Sequence, residues 1–186
     1  MIIRPAAMSD VASGAACHLA CLQEAYADLV TPERLAALTS DVEAKVELWR
    51  TVIAEGGPLV VAVEDDSVIG FIAAGPDEEP GLDIAFQLRV LNVRRAYWGT
   101  GVAQRLCDHA VGERDAYLWV LRDNARARGF YARNGFVLDG AAKIDPTFGA
   151  PIIRMVRATE AAAQGPARIG KVMPPSRGAE LPQSGA

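Results

Sequence analysis

The stretch that most restricts the fold is Leu91-Asn92-Val93-Arg94-Arg95-Ala96-Tyr97-Trp98-Gly99-Thr100-Gly101-Val102-Ala103-Gln104-Arg105-Leu106. The apolar run 84–93 reads as a strand. Gly99 and Gly101 make a loop, and Val102, Leu106, His109 and Ala110 follow on one face of a helix. A strand running through a glycine loop into a helix belongs to a domain in which helices cover a sheet. Glycines let the backbone approach a ligand, and a helix start offers unpaired N–H groups with a partial positive charge. Together they make an anion site, typically for phosphate; a tight turn without a ligand is the plainer reading. A Rossmann fingerprint would need a third glycine where Gln104 stands, and a Walker loop would need Gly-Lys-Ser/Thr, which the chain lacks.

Elements of both kinds precede and follow this unit. Residues 1–6 form a short strand. Ser9 and Asp10 are cap residues before Val11, Ala15, Leu19, Leu22 and Tyr26 at helical spacing. Thr31-Pro32-Glu33 is a second helix start, and Ser40 with Glu43 reads as a capping box for a third helix carrying Leu48, Trp49, Val52 and Ile53. Two strands, 58–64 and 67–75, flank a turn at Asp65-Asp66. Residues 116–121 are a buried strand, Asn124 caps a helix ending at Gly135, and 136–138 and 152–156 are closing strands. The expected fold class is therefore mixed α/β, one domain with helices on both faces of a central sheet.

Composition bounds the function. The last 29 residues, 158–186, hold four prolines and four glycines, no aromatic residue and no helical or strand period. Such a segment buries too little apolar surface to offset its ordering entropy, so the expected organisation is a domain over 1–157 and a disordered tail over 158–186. The domain carries 16 basic and 21 acidic residues, which disfavours nucleic acid as a partner. No apolar run reaches the roughly 18 residues of a membrane span, so no membrane partner is expected. Three cysteines, an odd number, argue against a disulfide framework and for a reducing, cytoplasmic location.

The second informative stretch is Leu118-Trp119-Val120-Leu121-Arg122-Asp123-Asn124-Ala125-Arg126-Ala127-Arg128-Gly129-Phe130-Tyr131-Ala132-Arg133-Asn134-Gly135-Phe136. Asn124 sits at a strand-to-helix junction, and Tyr131, two turns later, lies on about the same helix face. Asn124 is either a cap or a partner for a ligand amide; Tyr131 is either packing or a hydroxyl offered to a cleft.

The two stretches, in this order, resemble the GCN5-related N-acetyltransferases (GNAT). The family's cofactor loop, Gln/Arg-x-x-Gly-x-Gly/Ala, is matched by Trp98-Gly99-Thr100-Gly101-Val102-Ala103, with Trp98 in place of the usual Gln or Arg. The pattern Asn-x-x-Ala-x-x-Phe-Tyr-x-x-x-Gly-Phe is matched by Asn124, Ala127, Phe130, Tyr131, Gly135 and Phe136. The resemblance covers residues 1 to about 157. Around His18, Glu24-Ala25-Tyr26, Asp28-Leu29 and Pro32 the chain looks like a bacterial branch of undefined substrate.

The resemblance implies a mostly antiparallel mixed sheet with splayed fourth and fifth strands. It also implies acetyl-CoA as acyl donor and direct transfer to an amine of a small molecule, protein or peptide. The pyrophosphate would meet the amides of Gly99, Thr100, Gly101, Val102 and Ala103, with Trp98 beside them. The pantetheine would pair along Leu91, Asn92 and Val93. Asn124 would orient the cofactor or a water, Tyr131 would protonate the leaving thiolate, and Arg94, Arg95 or Arg128 would reach the 3′-phosphate. The last strands build homodimers in related proteins. An acidic residue often found in the fourth strand is replaced by Gln87, which cannot act as a general base. A catalytically silent acyl-CoA-binding module is the alternative.

Other candidates read as structure. Cys17 and Cys21 flank His18 without further ligands at metal spacing, and Cys107 falls on a core face. No metal is expected. Glu24, Asp28 and the run Asp77-Glu78-Glu79 are solvated charges or a lure for a cationic amine. Trp49 and Trp119 are expected in the core.

Overall fold

The structure is a computed structural model and describes residues 1–158. Apart from Ala158, the expected tail lies outside the described residues. In chain order the strands are β1 (Ile2–Pro5), β2 (Leu59–Glu64), β3 (Ser67–Pro76), β4 (Phe86–Val93), β5 (Ala116–Leu121), β6 (Val137–Asp145) and β7 (Ala150–Arg157). The helices are α1 (Val11–Tyr26), α2 (Pro32–Thr39), α3 (Val42–Ala54), α4 (Val102–Ala110) and α5 (Ala125–Arg133). The strands form one seven-stranded sheet in the order β1-β2-β3-β4-β5-β7-β6. Every neighbouring pair is antiparallel except β4 with β5.

Each face of the sheet has its own core. On one side α1 and α3 bury Val11, Ala15, Cys17, Cys21 and Trp49 against Val61 and Phe71. On the other, Val102, Leu106 and Cys107 of α4 and Tyr131 of α5 pack with Phe136 on Ile72, Leu88 and Leu118. Alternation along the strands feeds both cores, so the strands read as nearly continuous apolar runs.

Local chemistry explains most boundaries. Asp65 and Asp66 both have positive φ, the requirement of a two-residue hairpin turn whose twist matches its strands. Thr31 caps α2, its hydroxyl accepting the Arg34 N–H. For α3 the expected Ser40 cap is corrected to Asp41, whose carboxylate accepts from the Ala44 N–H at 2.8 Å. Asp10 occupies the cap position of α1, but its carboxylate turns back to the Ala7 N–H and the Arg4 guanidinium. The strand expected at 136–138 runs on to Asp145.

Between β4 and β5 a single register pair remains, Gln87 with Tyr117. Beyond it the strands diverge. A bulge contributes: Val90 pairs with Ala73 and Leu88 with Ala74, leaving Arg89 unpaired in the β3–β4 ladder. An extra residue of this kind bends its strand and steepens the local twist. The splayed fourth and fifth strands thus have a local cause, and the wedge between them opens toward the C-terminal ends of both.

Candidate active site

The wedge is the mouth of a cleft of about 650 Å³. Leu91, Asn92 and Val93 line one side from β4. Trp98, Gly99, Gly101 and Ala103 continue that side through the loop into α4. Gly99 and Gly101 have φ of 78° and 88°, and no protein atom lies within 4 Å of where a Cβ would project. Glycine is needed here for backbone conformation, and the space a side chain would fill is open. A branched phosphate chain fits a loop of this kind, with the first amides of α4 unpaired behind it. Thr100 and Val102 do not line the cleft: the Thr100 hydroxyl donates to the Tyr97 carbonyl, and Val102 is core.

Across the wedge, Asn124 and Tyr131 both line the cleft. Asn124 is a cap, its Oδ1 accepting the Ala127 N–H at 3.0 Å. Its amide NH2, without a partner among the described residues, is the part left for a ligand. Tyr131 is buried, edge-on to Phe130 and Phe136. Its hydroxyl makes no hydrogen bond to a described residue. Burial raises its pKa above the ordinary phenol range; Tyr26 and Cys107 add to the effect and Arg126 opposes it. The phenol is therefore a proton donor throughout the working range.

Trp98 turns its indole N–H back to the Val93 carbonyl at 2.8 Å. The Arg126 guanidinium lies 3.6 Å from the centre of its ring, and Arg95 lies 5.3 Å away. Of the arginines singled out in the sequence, Arg94 is bound to Glu24, and Arg128 donates to the Arg122 carbonyl and is not among the cleft-lining residues. Arg126 and Arg133 line the cleft instead.

Residues 55–138 match the family model for the acetyltransferase (GNAT) domain. The chain carries a GNAT domain. No curated relative matches the sequence. Among solved structures, PaiA N-acetyltransferase from Thermoplasma acidophilum in complex with coenzyme A is similar at 19% identity. Its TM-score is 0.67, over 85% of this chain and 98% of that one. The ribosomal-protein-alanine N-acetyltransferase from Brucella melitensis has 19% identity and a TM-score of 0.64, over 86% and 100%. A GNAT-family acetyltransferase from Streptococcus pneumoniae has 17% identity and a TM-score of 0.61, over 84% and 97%.

Within this GNAT domain several sequence readings change. Trp119 is not core: it lines the cleft on the α1 side of the sheet, its N–H donating to Glu79 at 3.2 Å and the Lys143 ammonium 3.9 Å from its ring centre. Glu24 is no lure for an amine, since it accepts from the Arg94 guanidinium and the Arg95 N–H. Asp77 accepts from the Tyr117 hydroxyl at 2.7 Å. None of Glu24, Asp28, Asp77, Glu78 and Glu79 lines the cleft, whereas Gln87 does.

His18 also lines it, on the α1 side. Its Nδ1 accepts the Trp49 indole N–H at 3.3 Å, which fixes the neutral tautomer with its proton on Nε2. Burial lowers its pKa to about 4, with Lys45 adding to the shift. At neutral pH this imidazole offers the cleft a donor and no base. Tyr26, Arg126, Asp145 and Phe148 also line the cleft, although the sequence assigned none of them a site role. Arg126 stands 28 residues beyond Trp98, past a helix and a strand, so nothing local in the sequence signals the contact between them.

Proposed function

We propose that this GNAT domain transfers an acetyl group directly from acetyl-CoA to a primary amine of a small molecule, a protein or a peptide. The observation that carries the reading is one cleft, opened by the lone Gln87–Tyr117 pair, that gathers the glycine-loop amides, the free edge of β4 and the Tyr131 hydroxyl. Acetyl-CoA supplies an activated acyl group as a thioester.

The amides of Gly99, Gly101 and Ala103, at the positive end of α4, hold the pyrophosphate. Backbone groups of Leu91 to Val93 on the β5 side, apart from the Val93 carbonyl already bound by the Trp98 indole, receive the amides of the pantetheine arm. A backbone N–H of the Leu91–Val93 edge stabilises the charge that develops on the thioester oxygen. The Asn124 amide NH2 orients the donor or a water. The amine nitrogen forms its bond to the carbonyl carbon as the carbon–sulfur bond breaks. Tyr131 protonates the departing thiolate, and the proton lost by the nitrogen returns through water.

Gln87 leaves the amine to lose its proton to solvent, since neither it nor neutral His18 is a base. The same substitution supports the second reading, an acyl-CoA-binding module without turnover. Thiol release from acetyl-CoA with a panel of amines, beside calorimetric titration of acetyl-CoA, separates the two. Amine-dependent thiol release is expected; binding without release from any amine would establish the module. Free, buried Cys17, Cys21 and Cys107 support a reducing, cytoplasmic location. Val137 and Leu138, 63% and 51% exposed on the edge strand β6, support a homodimer through that edge, which sedimentation tests.

A further inference from the structure

The geometry points to Asp145 as the seat of the acceptor's ammonium group, which makes the acceptor a primary alkylamine, cationic at neutral pH. This rests on the acetyl-transfer reading and adds to it the charge class of the substrate.

Among the described residues lining the cleft, Asp145 is the one carboxylate. It ends β6 and is half-buried. Its Oδ1 accepts two backbone N–H groups of the following turn, Thr147 at 2.8 Å and Phe148 at 2.9 Å. Those bonds fix the orientation of the carboxylate. Its Oδ2 has no hydrogen-bond or ion-pair partner among the described residues. The result is an oriented acceptor oxygen in a concave site, the arrangement an N⁺–H donor needs.

The surroundings favour a cation. Phe148, whose N–H anchors Asp145, stacks on Tyr26 at 4.9 Å between ring centres and 21° between planes. The pair joins the end of α1 to the β6–β7 turn and sets aromatic surface beside the carboxylate, which attracts an ammonium. Lys143, two residues earlier and so on the same face of β6, is drawn to Trp119 and Glu79. Arg126 is drawn to Trp98. The other acidic residues near this end, Glu24, Asp77 and Glu79, already have partners.

The site also lies on the side from which an acceptor would come. Asp145 pairs with Ala150, and two residues back Lys143 pairs with Ile152, which pairs with Leu121 of β5. That row runs across the sheet to the C-terminal end of β5, where the wedge is open. The glycine loop flanks the wedge at the end of β4, so donor and acceptor reach the reacting centre from different walls. Asp145 touches the acceptor and selects it; the proton leaves to solvent before attack.

The test uses the full chain at pH 7 with saturating acetyl-CoA. The probes are primary alkylamines, cationic at that pH, and arylamines, neutral at that pH. Asp145→Asn keeps an oxygen for the two turn N–H groups while removing the charge. Asp145→Ser keeps a smaller turn acceptor and serves if the first variant folds poorly. Both should lower the ratio of kcat/KM for alkylamines over arylamines by at least about tenfold, the scale of a lost charge-assisted hydrogen bond. The change should fall on the KM of the alkylamine. An unchanged ratio, or a parent enzyme that acetylates arylamines alone, would overturn the assignment of Asp145. A parent that binds acetyl-CoA and releases thiol with neither class would instead remove the acetyl-transfer reading beneath it.

Discussion

The Trp98 indole N–H donates to the Val93 carbonyl at 2.8 Å, tying the end of β4 to the loop that follows it. Its ring is then free to carry the Arg126 guanidinium from α5, 3.6 Å away, so one side chain joins the two walls of the cleft. The family's polar residue at this position is exchanged for an aromatic that does its positioning through packing. Trp98→Ala removes both the hydrogen bond and the stack, which is worth about 0.5–2 kcal/mol. Acetyl-CoA affinity measured by calorimetry should fall about tenfold. Trp98→Phe keeps a ring for Arg126 and should lose less; equal loss in both would assign the whole effect to the N–H.

Gly101 closes the loop with φ of 88° and ψ of −2°. A branched residue there is strained whatever the space around it, at a cost of about 1–2 kcal/mol or more. No protein atom lies within 4 Å of the position a Cβ would take, so the fold should survive Gly101→Val, as circular dichroism would show. The side chain would instead occupy the phosphate's approach. Acetyl-CoA affinity should drop at least tenfold, about 1.4 kcal/mol, in a calorimetric titration. Unchanged affinity would show that the pyrophosphate binds elsewhere.

His18 sets a pH dependence of stability. Its folded value of about 4 lies below the ordinary 6.5, so between those values the unfolded chain binds the proton more readily. The stabilisation is fully present above pH 6.5, falls as the pH drops toward 4, and changes no further below it. The whole span amounts to about 3 kcal/mol. His18→Gln keeps a polar partner for the Trp49 N–H and removes the titration. Guanidinium unfolding at pH 7.5 and 4.5 should show the parent losing about 2–3 kcal/mol more than the variant. Equal losses would show that His18 is solvated and free to protonate.

What the sequence made legible was local. The glycine loop, the Asn124 cap and the Tyr131 face each depend on residues within a few turns of one another, and the structure puts them in one cleft. What it hid depends on register between distant strands. In β5, Ala-Tyr-Leu-Trp-Val-Leu is apolar at every position, so no alternation reveals that Trp119 faces the cleft while Leu118 and Val120 join the core. Asp145 enters the cleft because β6 extends seven residues past its expected end and β7 carries it beside β5. Glu24 looked solvated because its partners lie some 70 residues away, at Arg94 and Arg95.

Tyr131 is the group placed to protonate the leaving thiolate, and its surroundings sharpen the expected pH profile. Burial, the first cause, raises its pKa above the ordinary value of 10, so the proton stays on the phenol across the range in which most thiols ionise, near 8.5. A thiolate of that basicity is already a fair leaving group, which limits what a general acid contributes. Tyr131→Phe keeps the ring against Phe130 and Phe136 and deletes the proton. With chemistry rate-limiting, turnover should fall by about tenfold to a thousandfold, with acetyl-CoA affinity nearly unchanged. Because deprotonation of Tyr131 begins only above pH 10, any fall in rate below that pH should persist in the variant, and a fall above it should disappear. Full turnover in Tyr131→Phe would reduce the residue to packing. The proton would then come from water, or from Tyr26, whose hydroxyl also stays protonated through burial and whose side chain lines the same cleft.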